Sequence, residues 1–194
     1  MKKFYLLNFH HLFLVISIIS WVYLLGIDYI NPTNVSWLNS GDLSTYQLGW
    51  EYFRNDKWRF PIGLNPNYGI YSDSNIVYSD SIPIFAIFFK LFNFLLPEKF
   101  QYFSIWILLC IYLQILFSYK ILYLGTTNRL FSLLGSLFFL TASIFIHRSG
   151  IHLSLLGQWL ILCGIYVEIS KNSKKDYLRL VTLLLSLLVH FYFF

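Results

Sequence analysis

Charge is what this chain has least of. Only 12% of its 194 residues are Asp, Glu, Lys or Arg, and nine of them are acidic. An ordinary soluble domain carries about 25% charged residues, so this composition does not describe a water-exposed globule. It does not describe a disordered chain either, because 57% of the residues are hydrophobic and 21% aromatic, far too apolar to stay solvated. Cysteine is nearly absent. Cys110 and Cys163 both fall inside apolar runs and read as small buried hydrophobes, not as a disulfide framework. No GxxxxGK[ST], GxGxxG, HExxH or CxxC pattern occurs, which argues against a nucleotide-driven pump, a dehydrogenase or a zinc protease. Internal repeats are missing too, so an inverted-repeat transporter has no direct support. The net charge of +5 does not point to nucleic acid, because the cations sit at segment ends and form no stripe.

What the chain does have is long apolar runs, with a mean hydropathy of +0.61. The first, 11–27, follows Lys2 and Lys3. No small-residue A-x-A site follows it, so it reads as an uncleaved span and not a signal peptide. Runs at 103–124, 130–146 and 151–169 are each long enough to cross a bilayer. A last run, 180–194, reaches the final residue, which suggests a fragment of a longer protein. The segment 82–96 is shorter, opens near Pro83 and contains Lys90, as expected of a helix lying on the membrane surface. The positive-inside rule favours that placement. If 82–96 stays on the outer surface, Arg129 and the cluster Lys171, Lys174, Lys175 and Arg179 join Lys2 and Lys3 on the cytoplasmic side. The expected architecture is therefore an all-α polytopic membrane protein with about five transmembrane helices. Its N-terminus is cytoplasmic, and residues 28–101 form a long outer loop with juxtamembrane helices.

That outer loop is polar, aromatic and rich in Gly, Asp, Asn and Pro. Long ordered loops are usually functional, and it carries Asp42, Glu51, Asp56, Asp73 and Asp80. Asp42 before Leu43, and Asp80 shortly before Pro83, are both in favoured helix N-cap positions. On a helix Glu51 would lie about 180° from Asp42. Asn55-Asp56 reads as the turn ending that helix. Trp37, Tyr46, Trp50 and Trp58 read as interfacial belt or loop core. His147, Arg148 and His152 fall in a tight outer connection, where Arg and His can bind a lipid phosphate or anchor at the interface. His147 and His152 alone make an unspecific metal pair.

The segments GDLSTYQLGWEYFRNDKWRFPIG (41–63), SNIVYSDSIPIFAIFFKLF (74–92), HRSGIHLSLLGQWLIL (147–162) and VHFYFF (189–194) resemble DUF6311-type bacterial membrane proteins. The overall plan resembles that of the GT-C glycosyltransferases. That resemblance implies transfer of a sugar from a polyprenyl-phosphate-linked donor on the non-cytoplasmic side of the bacterial inner membrane. It implies Asp42 as general base on the acceptor, sometimes with a divalent metal, and Asp80 as a second acidic site residue. Arg148 and His147 would then face the lipid phosphate. The alternative class is a non-catalytic transporter or envelope-polymer assembly factor whose outer loop binds a polymer or partner.

Overall fold

The structure is a computed structural model describing residues 2–69 and 73–194, with side chains from Phe9 onward. The side chains of Lys2 and Lys3, expected to mark the cytoplasmic end, lie outside the described residues. Every regular element described is helical, and Leu64 and Asn75 form one isolated bridge.

The first helix, α1 (Lys2–Leu25), ends at Gly26 with φ of 83°, a left-handed conformation that Gly adopts without steric cost. It is followed by the single turn α2 (Ile27–Ile30) and then by α3 (Asp42–Asn55) and α4 (Pro83–Leu91). The central helix is α5 (Phe103–Thr126), apolar over most of its length and buried on the faces carrying Trp106, Cys110, Gln114 and Ser118. Its start is fixed by Gln101, whose side-chain oxygen accepts the Ser104 amide at 3.0 Å. The Gln101 amide nitrogen also donates to the Asn31 carbonyl at 3.2 Å. Thr127, left-handed at φ 53°, ends α5. Asn128 then caps α6 (Arg129–Phe138) by accepting the Phe131 amide at 3.1 Å, the usual role of Asn at that position.

Small residues bring α6 close to α5. Ser132 and Ser136 are buried, and a Cβ at Gly135 would lie 2.7 Å from Leu122. Small residues at a helix contact let backbones approach where no bulky side chain intervenes. Next come α7 (Ser143–Ile151), α8 (Trp159–Ile169) and α9 (Lys175–Val189). The chain runs back and forth. Phe9 of α1 stacks on Tyr119 near the end of α5 at 5.3 Å, whereas Gln101 and Ser104 at its start reach the carbonyls of residues 29–31. The Trp106 indole donates to the Leu153 carbonyl at 2.7 Å, which puts the end of α7 beside the start of α5. Arg179 of α9 pairs with Glu168 of α8 at 2.5 Å. One end of the bundle therefore carries Arg129, Lys175 and Arg179, and the other carries residues 28–69 and 73–101, Arg148, His152 and His190.

Two segments differ from the reading of the sequence. The run 130–146 is not one straight helix: α6 and α7 are bent by 52° around a break at 139–142. The run 151–169 is helical in α8 only from Trp159, after a short 3-10 turn at Ser154–Leu156. Hence His147 and Arg148 lie inside α7 and not in a connecting loop. Among the described residues one helix, Phe103–Thr126, is long and apolar enough to cross a membrane. The bent pair makes a second if counted as one broken span, while Phe9–Leu25 and Ser154–Ile169 are apolar but shorter. At nine residues, α4 spans about 14 Å, less than half a bilayer's hydrocarbon thickness.

Residues 28–69 and 73–101 fold as a packed unit. Tyr46, Trp50 and Phe53, on one face of α3, are buried with Leu38, Ile76, Ile82 and Ala86. Tyr46 and Trp50 are thus loop core, not interfacial belt, and the Trp50 indole donates to the Phe100 carbonyl at 3.0 Å. Arg54, 6% exposed, donates to Asn93, Glu98 and Pro97 and locks α3 to the turn after α4. The Lys90 ammonium sits over the rings of Phe53 and Trp58 at 4.0 and 4.8 Å.

Candidate functional site

Neither proposed N-cap is one. Asp42 is the first residue of α3, with Gly41 before it, and no side-chain cap is made. A carboxylate there still gains from the positive end of the helix dipole. Its Oδ2 instead faces His152 Nδ1 at 3.6 Å, and its side chain is 61% exposed. The Tyr46 hydroxyl lies 3.5 Å from the same His152 nitrogen. That nitrogen holds at most one proton, so it can serve Asp42 or Tyr46 at one time, not both.

Asp80 is likewise no cap: α4 begins after Ile82, with no side chain capping it. Its Oδ1 lies 3.1 Å from His190 Nε2, and His190 is 6% exposed. His190 Nδ1 accepts the Tyr192 amide at 3.1 Å. A neutral imidazole with Nδ1 accepting carries its proton on Nε2, aimed at Asp80.

The backbone that presents Asp80 is unusual. Asp80 and Ile82 both have φ of 53°, and for a β-branched residue such as Ile82 this is a genuine outlier. Such strain costs on the order of 1–3 kcal/mol and persists only where surroundings impose it. Here the surroundings are visible. Ser81 Oγ donates to the Tyr46 carbonyl at 2.7 Å, Ser79 and Ser81 hydroxyls are 2.8 Å apart, and the Tyr102 hydroxyl donates to the Ser81 carbonyl. The segment lies flat on α3 because residue 49 is glycine. A Cβ there would overlap Ser79 and come within 2.6 Å of Ser81 Oγ. Gly49→Ala should therefore destabilise the protein by about 1–3 kcal/mol, the range for overpacking, and loosen Asp80 from His190. Thermal unfolding measures the first effect and the His190 ring resonances the second. An unchanged midpoint would show that the segment is not clamped.

Tyr46 reports the electrostatics of the whole cluster. Burial and then the negative charge of Asp80 push its phenol above the usual range; Asp42 adds to the rise, while Ser154 and Arg148 oppose it. Asp42, Asp80 and Arg148 thus all act on one phenol. Burial followed by Asp80 also raises Tyr68. Arg148, half-buried in the last turn of α7, has no carboxylate within ion-pair reach among the described residues. His147 is exposed on the same turn and is not brought into contact with either acid.

The other acids lie elsewhere. Asp56 follows α3 and accepts two hydrogen bonds from Arg59, which hold its carboxyl below the usual range. Glu51 accepts from Gln47 at 2.7 Å, and burial pushes its carboxyl up from 4.5. A carboxyl with a raised folded-state pKa loses stability as pH climbs through that window, because the folded state resists ionisation. Glu51→Gln keeps an acceptor for Gln47. It should become progressively more stable than wild type as pH rises above about 4.5, as read by chemical denaturation at several pH values. A constant difference would place Glu51 in solvent.

Among the described residues no group of three or more His, Cys, Asp or Glu side chains converges to hold a metal ion. The site's four groups are two separate Asp–His pairs, and this donor set as it stands does not fit a divalent ion. Tyr46 and His190 were not singled out as site residues by the sequence, and His152 was read as a phosphate contact, an interfacial anchor or half of a metal pair, not as the partner of Asp42.

The fold and site define an all-helical protein with at least one membrane-length helix and a polar cluster of paired acids and histidines at one end of its bundle. The model of the family described as Domain of unknown function (DUF6311) matches residues 14–194, and the chain belongs to that family. No curated protein and no solved structure matches it.

Proposed function

We propose that this is a polytopic integral membrane glycosyltransferase of GT-C type, taking its sugar from a polyprenyl-phosphate donor at the non-cytoplasmic face. The observation that carries the reading is Asp42, an accessible carboxylate freed from capping and faced by His152 in a cluster whose charges include Arg148. In the reaction an acceptor hydroxyl attacks the anomeric carbon and gives its proton to Asp42. The bond from that carbon to the lipid phosphate breaks, and the phosphate leaves with the electron pair. Arg148 compensates the charge that develops on it, as a guanidinium suits phosphate oxygens. His152 orients the Asp42 carboxylate, and His190 holds Asp80 toward the cluster.

The bundle's polarity supports the membrane placement. The cations Arg129, Lys171, Lys174, Lys175 and Arg179 lie at the end opposite the Asp–His pairs, as the positive-inside rule expects for a cytoplasmic face. On this reading α1, α5, the bent α6–α7 pair, the apolar segment Ser154–Ile169 that ends in α8, and α9 each cross, and α4 rests on the outer surface. The test has two arms. Cysteines placed at Glu98 or Lys99 should react with impermeant reagents in intact cells, and labelling only after permeabilisation would reverse the topology. The protein in membranes supplied with polyprenyl-phosphate sugars should release lipid phosphate in step with glycosylated acceptor. Release from no such donor would leave the non-catalytic binding reading.

A further inference from the structure

We propose that a second site, at the end of the bundle opposite Asp42, binds the phosphate headgroup and adjoining carbons of an anionic phospholipid. A cavity of about 330 Å³ opens there between α1, α5 and α8. Its walls are largely aromatic, including Phe13, Tyr119 and Tyr166, and its basic groups among the described residues are His10, Lys120 and Arg129. Among the described residues no acidic side chain lines it.

Lys120 is the reason to expect an anion. It lies six residues before the end of α5, which places its Cα about 9 Å inside that helix terminus. Its ammonium rests 5.4 Å from the Phe117 ring centroid and 5.2 Å from that of Tyr166. Cation–π contacts of this kind ease the burial of a charge but do not neutralise it. No carboxylate comes within ion-pair reach of Lys120 among the described residues. The remaining residues, 1–8 and 70–72, contain no acid that could reach it. An ionisable side chain at membrane depth is expected to pair with a partner or to serve a site. Basic pockets between helices on the cytoplasmic side are suited to anionic lipid headgroups.

The walls decide between sources of phosphate. A free phosphate ion would meet Lys120 but leave the surfaces of Phe13, Tyr119 and Tyr166 uncovered. A phospholipid places its phosphate at Lys120 and Arg129 and covers the aromatic wall with its glycerol and upper acyl carbons. The inference rests on the helices crossing a membrane and not on glycosyl transfer, so an inactive enzyme would leave it standing.

The test uses the purified protein in neutral detergent with three probes: short-chain phosphatidylglycerol, phosphatidylcholine of the same chain length, and inorganic phosphate. Phosphatidylglycerol should give a one-to-one adduct by native mass spectrometry and raise the unfolding temperature. Phosphatidylcholine should do so less, and phosphate not at all. Lys120→Gln removes a charge-assisted contact and should weaken phosphatidylglycerol binding by about tenfold or more, whereas Lys120→Arg should retain it. Arg129→Gln provides a second reading if the Lys120 variant fails to fold, and should weaken binding in the same direction. Binding by Lys120→Gln within twofold of wild type would overturn the proposal. So would equal binding of the two lipids, an equal shift with inorganic phosphate alone, or unchanged binding by Arg129→Gln.

Discussion

Replacing Asp42 by asparagine should reduce glycosyl transfer by about 10²–10⁴-fold, the scale of general-base catalysis, while the protein still folds and inserts. Asparagine matches the volume and keeps an oxygen facing His152, but it cannot take up the acceptor's proton. Stability should barely change, because the Asp42 side chain makes no cap hydrogen bond and is mostly exposed. The first-turn dipole interaction and the exposed charge interaction with His152 are lost, together a few tenths of a kcal/mol to about 1 kcal/mol. Turnover with a polyprenyl-phosphate sugar, measured beside the thermal midpoint, separates the two roles. Full activity in the Asn variant would remove Asp42 from the chemistry and make Asp80 the next carboxylate to test.

Arg54→Ala should destabilise the outer unit strongly, by about 3–5 kcal/mol for breaking several buried hydrogen bonds to a charged group. Its guanidinium donates to Asn93 Oδ1 at 2.8 Å, to the Pro97 carbonyl at 2.9 Å and to the Glu98 carbonyl at 3.1 Å. Asn93 in turn donates to the Arg54 carbonyl at 3.1 Å. Truncation strands these acceptors in a site that is 6% exposed. Arg54→Lys should recover little, because an ammonium cannot reproduce a planar fork that reaches three acceptors. Limited proteolysis between residues 56 and 100 should become faster in both variants. A protease pattern like that of wild type would mean that Arg54 does not hold α3 to the turn after α4.

Much of the helical plan was legible because it is written in local composition. The apolar runs correspond to α1, α5, α8 and α9, and the Asn55-Asp56 turn ends α3 as its chemistry suggests. The break between α6 and α7 was not legible. The residues Phe139, Leu140, Thr141 and Ala142 look like a continuing helix, and no proline or glycine marks the bend. The capping assignments of Asp42 and Asp80 failed for a related reason. Asp before a helix is a good cap on average, but here each side chain has a histidine to face, and each of those histidines lies 110 residues away in sequence.

The sequence by itself determined that the chain is helical and apolar, that its cations collect where runs end, and that its acids concentrate in residues 28–101. Hydropathy and charge are properties of neighbouring residues, so a single sequence states them directly. Only the tertiary structure decided that His152 faces Asp42, that His190 faces Asp80, and that Tyr46 is buried beside His152, where its phenol feels the charges of both acids and Arg148. It also decided that Gly49 is needed for space rather than for a turn. These contacts depend on how antiparallel helices bring their ends together. That register is set by packing along the whole of α5, which no local pattern around Asp42 or Asp80 encodes.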